Sequence, residues 1–368
     1  MTSESRLNAR LDELAEAGRV SGLHGLVVVR QGQTVAEWYG VGEDYRWVEP
    51  LGRVVFGPDV RHDLRSVTKS LVALLYGVAL ADGQVPGPAE PLMRQFPEYP
   101  DLAADPAKAD LTVEHALTMT MGLEWHEDLP YTSPDNSEIA MELAPDRHRY
   151  VLERSMAGKP GQHWSYCGGA TALIGRLIVK GTGVTLPDYA RRVLFGPLGI
   201  TAFDWTAGRD GVASPASGLR LTPRDLASIG QLALDHGRWK GRQIIPAAWV
   251  DTALCWQVPI EDDFGYGYQW WLGTFPAPGG SGTVPYVGGN GNGGQRLYLL
   301  PSLDLVVAIT CGNYDAENQS ATPVTVMTEA ILPAIGRDEL EPVVMTRTGW
   351  RCARRSGGRT SRRRWRRP

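Results

Sequence analysis

Four cysteines, Cys167, Cys255, Cys311 and Cys352, are all that this 368-residue chain contains, and no two form a C-x-x-C pair. Spacing this wide gives no disulfide framework or thiolate motif, so reduced thiols in a cytoplasmic protein are expected. Long apolar runs are missing too. None reaches membrane-spanning length, and Met1 to Val20 carry charges throughout, without the apolar core of a secretory signal. No serine sits in Gly-x-Ser-x-Gly, which argues against an α/β-hydrolase elbow. His126-Glu127-Asp128 is polar but lacks metal-ligand spacing and reads as a solvated loop; neither a metal nor another cofactor is expected.

What is present is a globular composition, 43% hydrophobic with a mean hydropathy of −0.22, enough to bury one large core or two smaller ones. The net charge of −4 hides an asymmetry: ten arginines and no acidic residue fall in 346–368, and setting those ten aside leaves −14 on 1–345. An acidic body gives no footprint for specific nucleic-acid binding. The Arg-rich tail is expected to be a disordered extension, able at most to hold polyanions non-specifically.

Strand patterns occur at both ends of the body. Leu23 to Val29 and Thr34 to Tyr39 flank the turn Arg30-Gln31-Gly32-Gln33 as a hairpin, and further strands are expected at Tyr266–Leu272, Gln295–Leu300 and Asp304–Thr310. Helical patterns cover Ser66–Ala81, Thr112–Met121, Ala170–Val179, Pro187–Leu194, Pro223–Asp235 and Thr322–Ile335. The simplest arrangement is an α/β fold in which strands from both termini share one antiparallel sheet flanked by helices. The sheet region is about 1–84 and 261–345, and a mainly helical insertion spans about 85–260.

Ser66-Val67-Thr68-Lys69 carries the first chemical signal. With 17 serines and only five lysines in the chain, chance supplies roughly 0.2 Ser-x-x-Lys matches, so context decides. Here the motif opens the apolar run Leu71 to Leu80, which puts Lys69 one helical turn from Ser66 on the same face. Desolvation at the edge of such a core is expected to lower the amine's pKa and equip it to relay a proton. Two more segments complete the pattern: Gly161-Gln162-His163-Trp164-Ser165-Tyr166-Cys167-Gly168-Gly169-Ala170, and the glycine-rich Tyr286 to Tyr298. Gly289, Gly291 and Gly294 also satisfy Gly-x-Gly-x-x-Gly, but a strand pattern follows, which argues against a dinucleotide site.

In order and spacing, Ser-x-x-Lys, then tyrosine, then a glycine-rich strand edge resembles the penicillin-recognising serine hydrolases. These comprise class C β-lactamases, D-Ala-D-Ala carboxypeptidases, related esterases and aminohexanoate-dimer (nylon oligomer) hydrolases. Leu117 to Leu123, Leu221 to Ala227 and Gly265 to Trp271 extend the likeness across most of residues 20 to 335. The resemblance implies the β-lactamase/transpeptidase-like fold and a serine hydrolase whose small-molecule substrate is an ester or amide. It implies Ser66 as nucleophile, Lys69 and Tyr166 as the proton-transfer pair, and the amides of Ser66 and Asn292 as oxyanion donors. Gly168, Gly289, Asn290 and Gly291 would then bind substrate. Trp125, Tyr131, Trp270 and Trp271 are candidates to line the cleft, although two adjacent tryptophans on an extended strand face opposite ways, so one of Trp270 and Trp271 is expected in the core.

Two departures bear on substrate. Where the family often has Asn two residues after the tyrosine, this chain has Gly168, and where β-lactamases and carboxypeptidases place a cation, it has Gly289. Without that cation a substrate carboxylate loses a charge-assisted bond worth about 1.5–3 kcal/mol, unless Arg296 supplies it. Esters and linear amides therefore rank above β-lactams. A β-lactamase, a carboxypeptidase, or a binding or sensor module on the same fold are the alternatives.

Overall fold

The computed structural model describes residues 3–335 apart from residue 281. The Arg-rich segment beyond 345 and Cys352 lie outside the described residues. The central sheet has eight strands, β1 Leu23–Arg30, β2 Gln33–Tyr39, β3 Val258–Glu261, β4 Phe264–Tyr266, β5 Trp271–Pro276, β6 Thr283–Gly291, β7 Gln295–Leu300 and β8 Leu305–Cys311. Their spatial order is β3-β4-β5-β6-β7-β8-β1-β2, each pair antiparallel. The N-terminal hairpin thus docks on the last strand, with Leu26 opposite Ile309 and Val28 opposite Val307. Its turn has φ of 51° at Gln31 and 72° at Gly32, the left-handed pair that a tight two-residue hairpin requires.

Side-chain alternation separates two cores. On one face Leu26, Val28, Val307 and Ile309 meet Leu7, Leu11 and Leu14 of α1 (Ser3–Glu16) and Met327 and Ile331 of the C-terminal helical segment. On the other, Val27, Val29, Leu297, Leu299, Val306 and Ala308 join the larger core beneath the helical layer. There α6 (Pro223–Leu234), capped by Thr222, lies flush on the sheet: a Cβ on Gly230 would come within 2.6 Å of Val306 Cγ1. Between sheet and outer helices runs α2 (Val67–Ala81), apolar around nearly its whole circumference and buried accordingly. Further outward are α3 (Ser137–Leu143), α4 (Arg147–Leu152) and α5 (Gly168–Thr182). Among the described residues no helix is long and apolar enough to cross a membrane.

Two expectations need correction, and two elements were not anticipated. The strand expected over Tyr266–Leu272 is two strands, because Gly267–Trp270 turns into the core. Gln269, at φ 63°, donates to the carbonyls of Ala116 and Leu117 and accepts from Thr171 Oγ1, while its own carbonyl accepts from Ser70 Oγ. The helix expected over Thr112–Met121 stops at Leu117, since Met119 takes a left-handed φ of 56°. α1 and the hairpin Val41–Arg46/Glu49–Val55 have no counterpart in the sequence reading. Cys167 and Cys311 are buried free thiols, as expected.

A buried histidine pair braces the strand entering the Ser66 turn. His62 Nδ1 lies 3.0 Å from the Asp63 carbonyl and therefore donates to it, leaving Nε2 to accept from His24 Nδ1 at 2.9 Å. Burial, reinforced by the neighbouring ring, pushes His24 down to about 3 against the pull of Asp44, and burial lowers His62 as well. The unfolded chain takes up protons near pH 6.5 that the folded pair refuses, so stability falls as pH drops below that value. The slope is about 1.4 kcal/mol per pH unit for each histidine. Calorimetric melts between pH 7 and 4 should show this decline, reduced in His24→Asn. A decline confined to pH below about 5, unchanged by the substitution, would assign it to carboxylates instead.

Candidate active site

The Ser66 turn is set from both sides. Asp63 accepts from the Arg65 amide at 2.9 Å and the Trp47 amide at 2.7 Å, and it holds Arg65 at a left-handed φ of 49°. Ser66 follows as the N-cap of α2 without using its hydroxyl as a cap, which leaves Oγ available. Lys69, one turn on, is 1% exposed and places Nζ 2.9 Å from Ser66 Oγ, 3.0 Å from the Ala216 carbonyl and 3.1 Å from Glu138 Oε2. Tyr166 comes from the segment leading into α5, and its ring centroid is 4.9 Å from Lys69 Nζ. The three residues expected to act together are brought together.

The end of β6 lies along the start of α2. A Cβ on Gly291 would stand 2.5 Å from the Leu64 carbonyl, and one on Gly289 would stand 3.0 Å from Val67 Cγ1 and 3.1 Å from Ser70 Oγ. Gly291 has no room for a larger residue without displacing the strand, and at Gly289 the side chains of Val67 and Ser70 would have to give way. Asn292 turns its side chain outward, giving Nδ2 to Asp315 Oδ1 at 2.7 Å and accepting from the Asp315 amide at 3.0 Å. Asn290, opposite Arg296 on β7, has a buried Oδ1 with no hydrogen-bond partner among the described residues.

Arg296 does not replace the missing cation. It is buried, with Nη1 donating to the carbonyls of Gly291 (3.0 Å) and Gln295 (2.8 Å) and Nη2 donating to Ser320 Oγ (2.6 Å). Its donors hold the strand end.

Of the four aromatic candidates, Trp270 is fully buried and Trp271 is the partly exposed one, its ring 5.5 Å from that of Tyr166 and 5.2 Å from that of Trp164. Trp125 and Tyr131 serve a different purpose. Trp125 Nε1 donates to Glu127 Oε2 at 2.7 Å and the Tyr131 hydroxyl to Glu127 Oε1 at 2.9 Å, while the Gly168 amide donates to Oε2 at 2.6 Å.

Glu127 and Glu138 are the residues that the sequence reading missed. Glu127, expected in a solvated loop, has a side chain only 1% exposed and lies 3.7 Å from Lys69 Nζ. Glu138 is equally buried and hydrogen-bonded to it. The available signal was Gly168: a Cβ there would be 2.3 Å from Glu138 Oε2 and 3.1 Å from Glu127 Oε2. The missing side chain leaves room for a carboxyl pair.

These carboxyls reverse the expected protonation of the amine. Burial opposes the charge on Lys69, but the carboxyl pair of Glu138 and Glu127, which shares one negative charge, outweighs it and holds the ammonium form. Glu127, which accepts from three donors and faces Lys69, is kept ionised below the ordinary carboxylate range despite burial. Burial and the Glu127 charge push Glu138 well above that range. Burial also raises Tyr166 to about 12, with Lys69 and a hydrogen bond from Ser66 pulling the other way, so the phenol keeps its proton at neutral pH.

A buried serine–lysine pair at a helix start, a tyrosine against the amine and a glycine-rich strand edge of one antiparallel sheet thus lie side by side. Residues 7–323 match the Beta-lactamase family model, and the chain belongs to the beta-lactamase family of hydrolase enzymes. It is similar to the 6-aminohexanoate-dimer hydrolase of Paenarthrobacter ureafaciens, 24% identical over 323 residues that cover 82% of this chain and 75% of the relative. Among solved structures, EstCE1, a hydrolase with promiscuous acyltransferase activity, superposes with a TM-score of 0.68 at 15% identity, covering 90% of this chain and 99% of its own. A penicillin-binding protein homologue from Caulobacter crescentus gives 0.66 at 18% identity, covering 88% and 96%. These likenesses confirm the β-lactamase/transpeptidase-like fold.

Proposed function

We propose that this protein hydrolyses esters or linear amides through an acyl-enzyme on Ser66. The observation that carries the reading is the 2.9 Å contact between Ser66 Oγ and the buried Lys69 amine, with Tyr166 against both. Ser66 Oγ attacks the carbonyl, its proton passes into the Lys69/Tyr166 pair, and the amides of Ser66 and Asn292 hold the oxyanion. Tyr166 returns a proton to the leaving alcohol or amine, and water then releases the acid.

Linear substrates are favoured over β-lactams because Gly289 offers no cation and Arg296 is buried with Nη1 and Nη2 donating to Gly291, Gln295 and Ser320. The partly exposed Trp271, together with Trp164, gives the cleft an aromatic wall beside Tyr166. The similarity to a 6-aminohexanoate-dimer hydrolase supports a linear amide.

Intact mass after brief exposure to a fluorophosphonate should show one adduct on wild type, mapping to Ser66 and absent from Ser66→Ala. Turnover panels should then rank linear esters and amides above β-lactams. A folded wild type that forms no adduct would assign the fold to a binding module, and faster β-lactam turnover would overturn the substrate class.

A further inference from the structure

The proton-transfer pair lacks an acceptor. Lys69 is an ammonium whose contacts with Ser66, Glu138 and Ala216 use its three donor positions, so it can receive the Ser66 proton only by passing one of its own onward. Tyr166 is neutral and holds its proton tightly. The next group in line is Glu138, 3.1 Å beyond Nζ.

Glu138 is held there by design of the local chain. Asn136, fully buried, accepts from the Glu138 amide at 2.9 Å and gives Nδ2 to the Leu129 carbonyl at 2.7 Å, while Ser137 Oγ accepts from the His126 amide at 2.9 Å. The carboxyl then fills the volume left empty at Gly168, the position where the family often carries asparagine. Asparagine there would force the Glu138 carboxyl to shift from its place beside Lys69.

We propose that Glu138, paired with Glu127, is the terminal proton acceptor of a Ser66–Lys69–Glu138 relay. This rests on Ser66 being the nucleophile. One N–H proton of Lys69 first moves to Glu138 Oε2, the freed amine turns its lone pair toward Ser66, and as Ser66 Oγ bonds to the carbonyl carbon its O–H proton passes to Nζ. The carbonyl π pair goes to the oxyanion. On collapse the bond to the leaving group breaks with its electron pair on oxygen or nitrogen. Tyr166 protonates that atom and is reprotonated from Glu138 through Lys69, so proton and charge are restored.

The groups facing Glu138 are Lys69 from α2, Glu127 and Tyr131 from the preceding loop, Tyr166 ahead of α5, and Glu142 one turn along α3, itself paired with Arg147 at 3.1 Å. The relay is open when Glu138 is ionised. Acylation therefore rises with pH through the Glu138 titration, which burial and Glu127 have moved upward.

The test is the rate of Ser66 acylation by a p-nitrophenyl ester from pH 5 to 9. Wild type, Glu138→Gln, Glu138→Asp and Glu127→Gln are compared, with Ser66→Ala as blank and thermal melts for each. Glu138→Gln should slow acylation about 10²–10⁴-fold and abolish the rise with pH, while Glu138→Asp should regain part of both. Glu127→Gln removes the charge that raises Glu138, so the rise should move to lower pH. This second readout stands if Glu138→Gln does not fold.

A folded Glu138→Gln that acylates within a few-fold of wild type, or more slowly with an unchanged pH profile, overturns the relay and leaves Ser66 intact as nucleophile. So does a Glu127→Gln profile that does not move. Absence of any wild-type adduct at Ser66 overturns both the nucleophile and the relay.

Discussion

Lys69→Met should cost about 3–5 kcal/mol of stability at pH 7 and reduce acylation by at least roughly 10³-fold, the largest combined effect expected of any single substitution here. The side chain is nearly isosteric and apolar, so packing is conserved. What is lost is the counter-charge of Glu127, whose carboxylate is left buried against Glu138. The sign of the pH dependence follows. Lys69 and its other donors depress Glu127 in the folded state, so this contribution is complete above the unfolded carboxyl pKa and disappears as pH falls through the lower, folded one. Urea denaturation should therefore show the widest gap between wild type and variant near neutrality and a narrower gap near pH 4. Adding Glu127→Gln to Lys69→Met should recover part of the loss at pH 7. An equal gap at both pH values, with no recovery in the double variant, would show that Lys69 acts through packing alone.

Gly291→Ala should lower kcat/KM about 10²-fold while shifting the melting temperature by only a few degrees. The added Cβ would sit 2.5 Å from the Leu64 carbonyl, a backbone atom that cannot swing aside, so β6 must retreat from the Ser66 turn. A displacement approaching 1 Å misaligns the amide of Asn292 with the oxyanion, and misplacement of that order costs about this much in rate. The binding of a ground-state inhibitor should change less than kcat. If kcat is unaffected, the strand edge does not contribute to the oxyanion site.

Much of this architecture was legible in the residues. The apolar runs of β1, β7 and β8, the hairpin turn at Gln31-Gly32 and the helix from Pro223 all rest on local rules of periodicity and turn chemistry. They appear at the expected places, with ends moved by a residue or so. The break at Gly267–Trp270 could not be read that way. Gly265 to Trp271 keeps a strand-like composition, and only the side chain and carbonyl of Gln269, tied to Ala116, Leu117, Thr171 and Ser70, turn it inward. Trp270 and Trp271 show the division directly: that adjacent rings must separate was readable, but which of them enters the core was not.

The same holds for the site. Ser66 and Lys69 meet because 3.6 residues per turn put them on one helix face, a relation written into their spacing. Glu127 and Glu138 stand 58 and 69 residues from Lys69, and their burial, mutual contact and hold on Lys69 exist only once the Asn136 cap and the absent side chain of Gly168 leave space beside the amine. By itself the sequence determined the strands near both termini and the Ser66–Lys69 pairing, because local periodicity and short-range spacing encode them, and its motifs carried the resemblance that pointed to the family and to Ser66 as candidate nucleophile. Tertiary structure alone decided that Lys69 is an ammonium and not a free amine, because its charge depends on carboxyls that reach it through the fold.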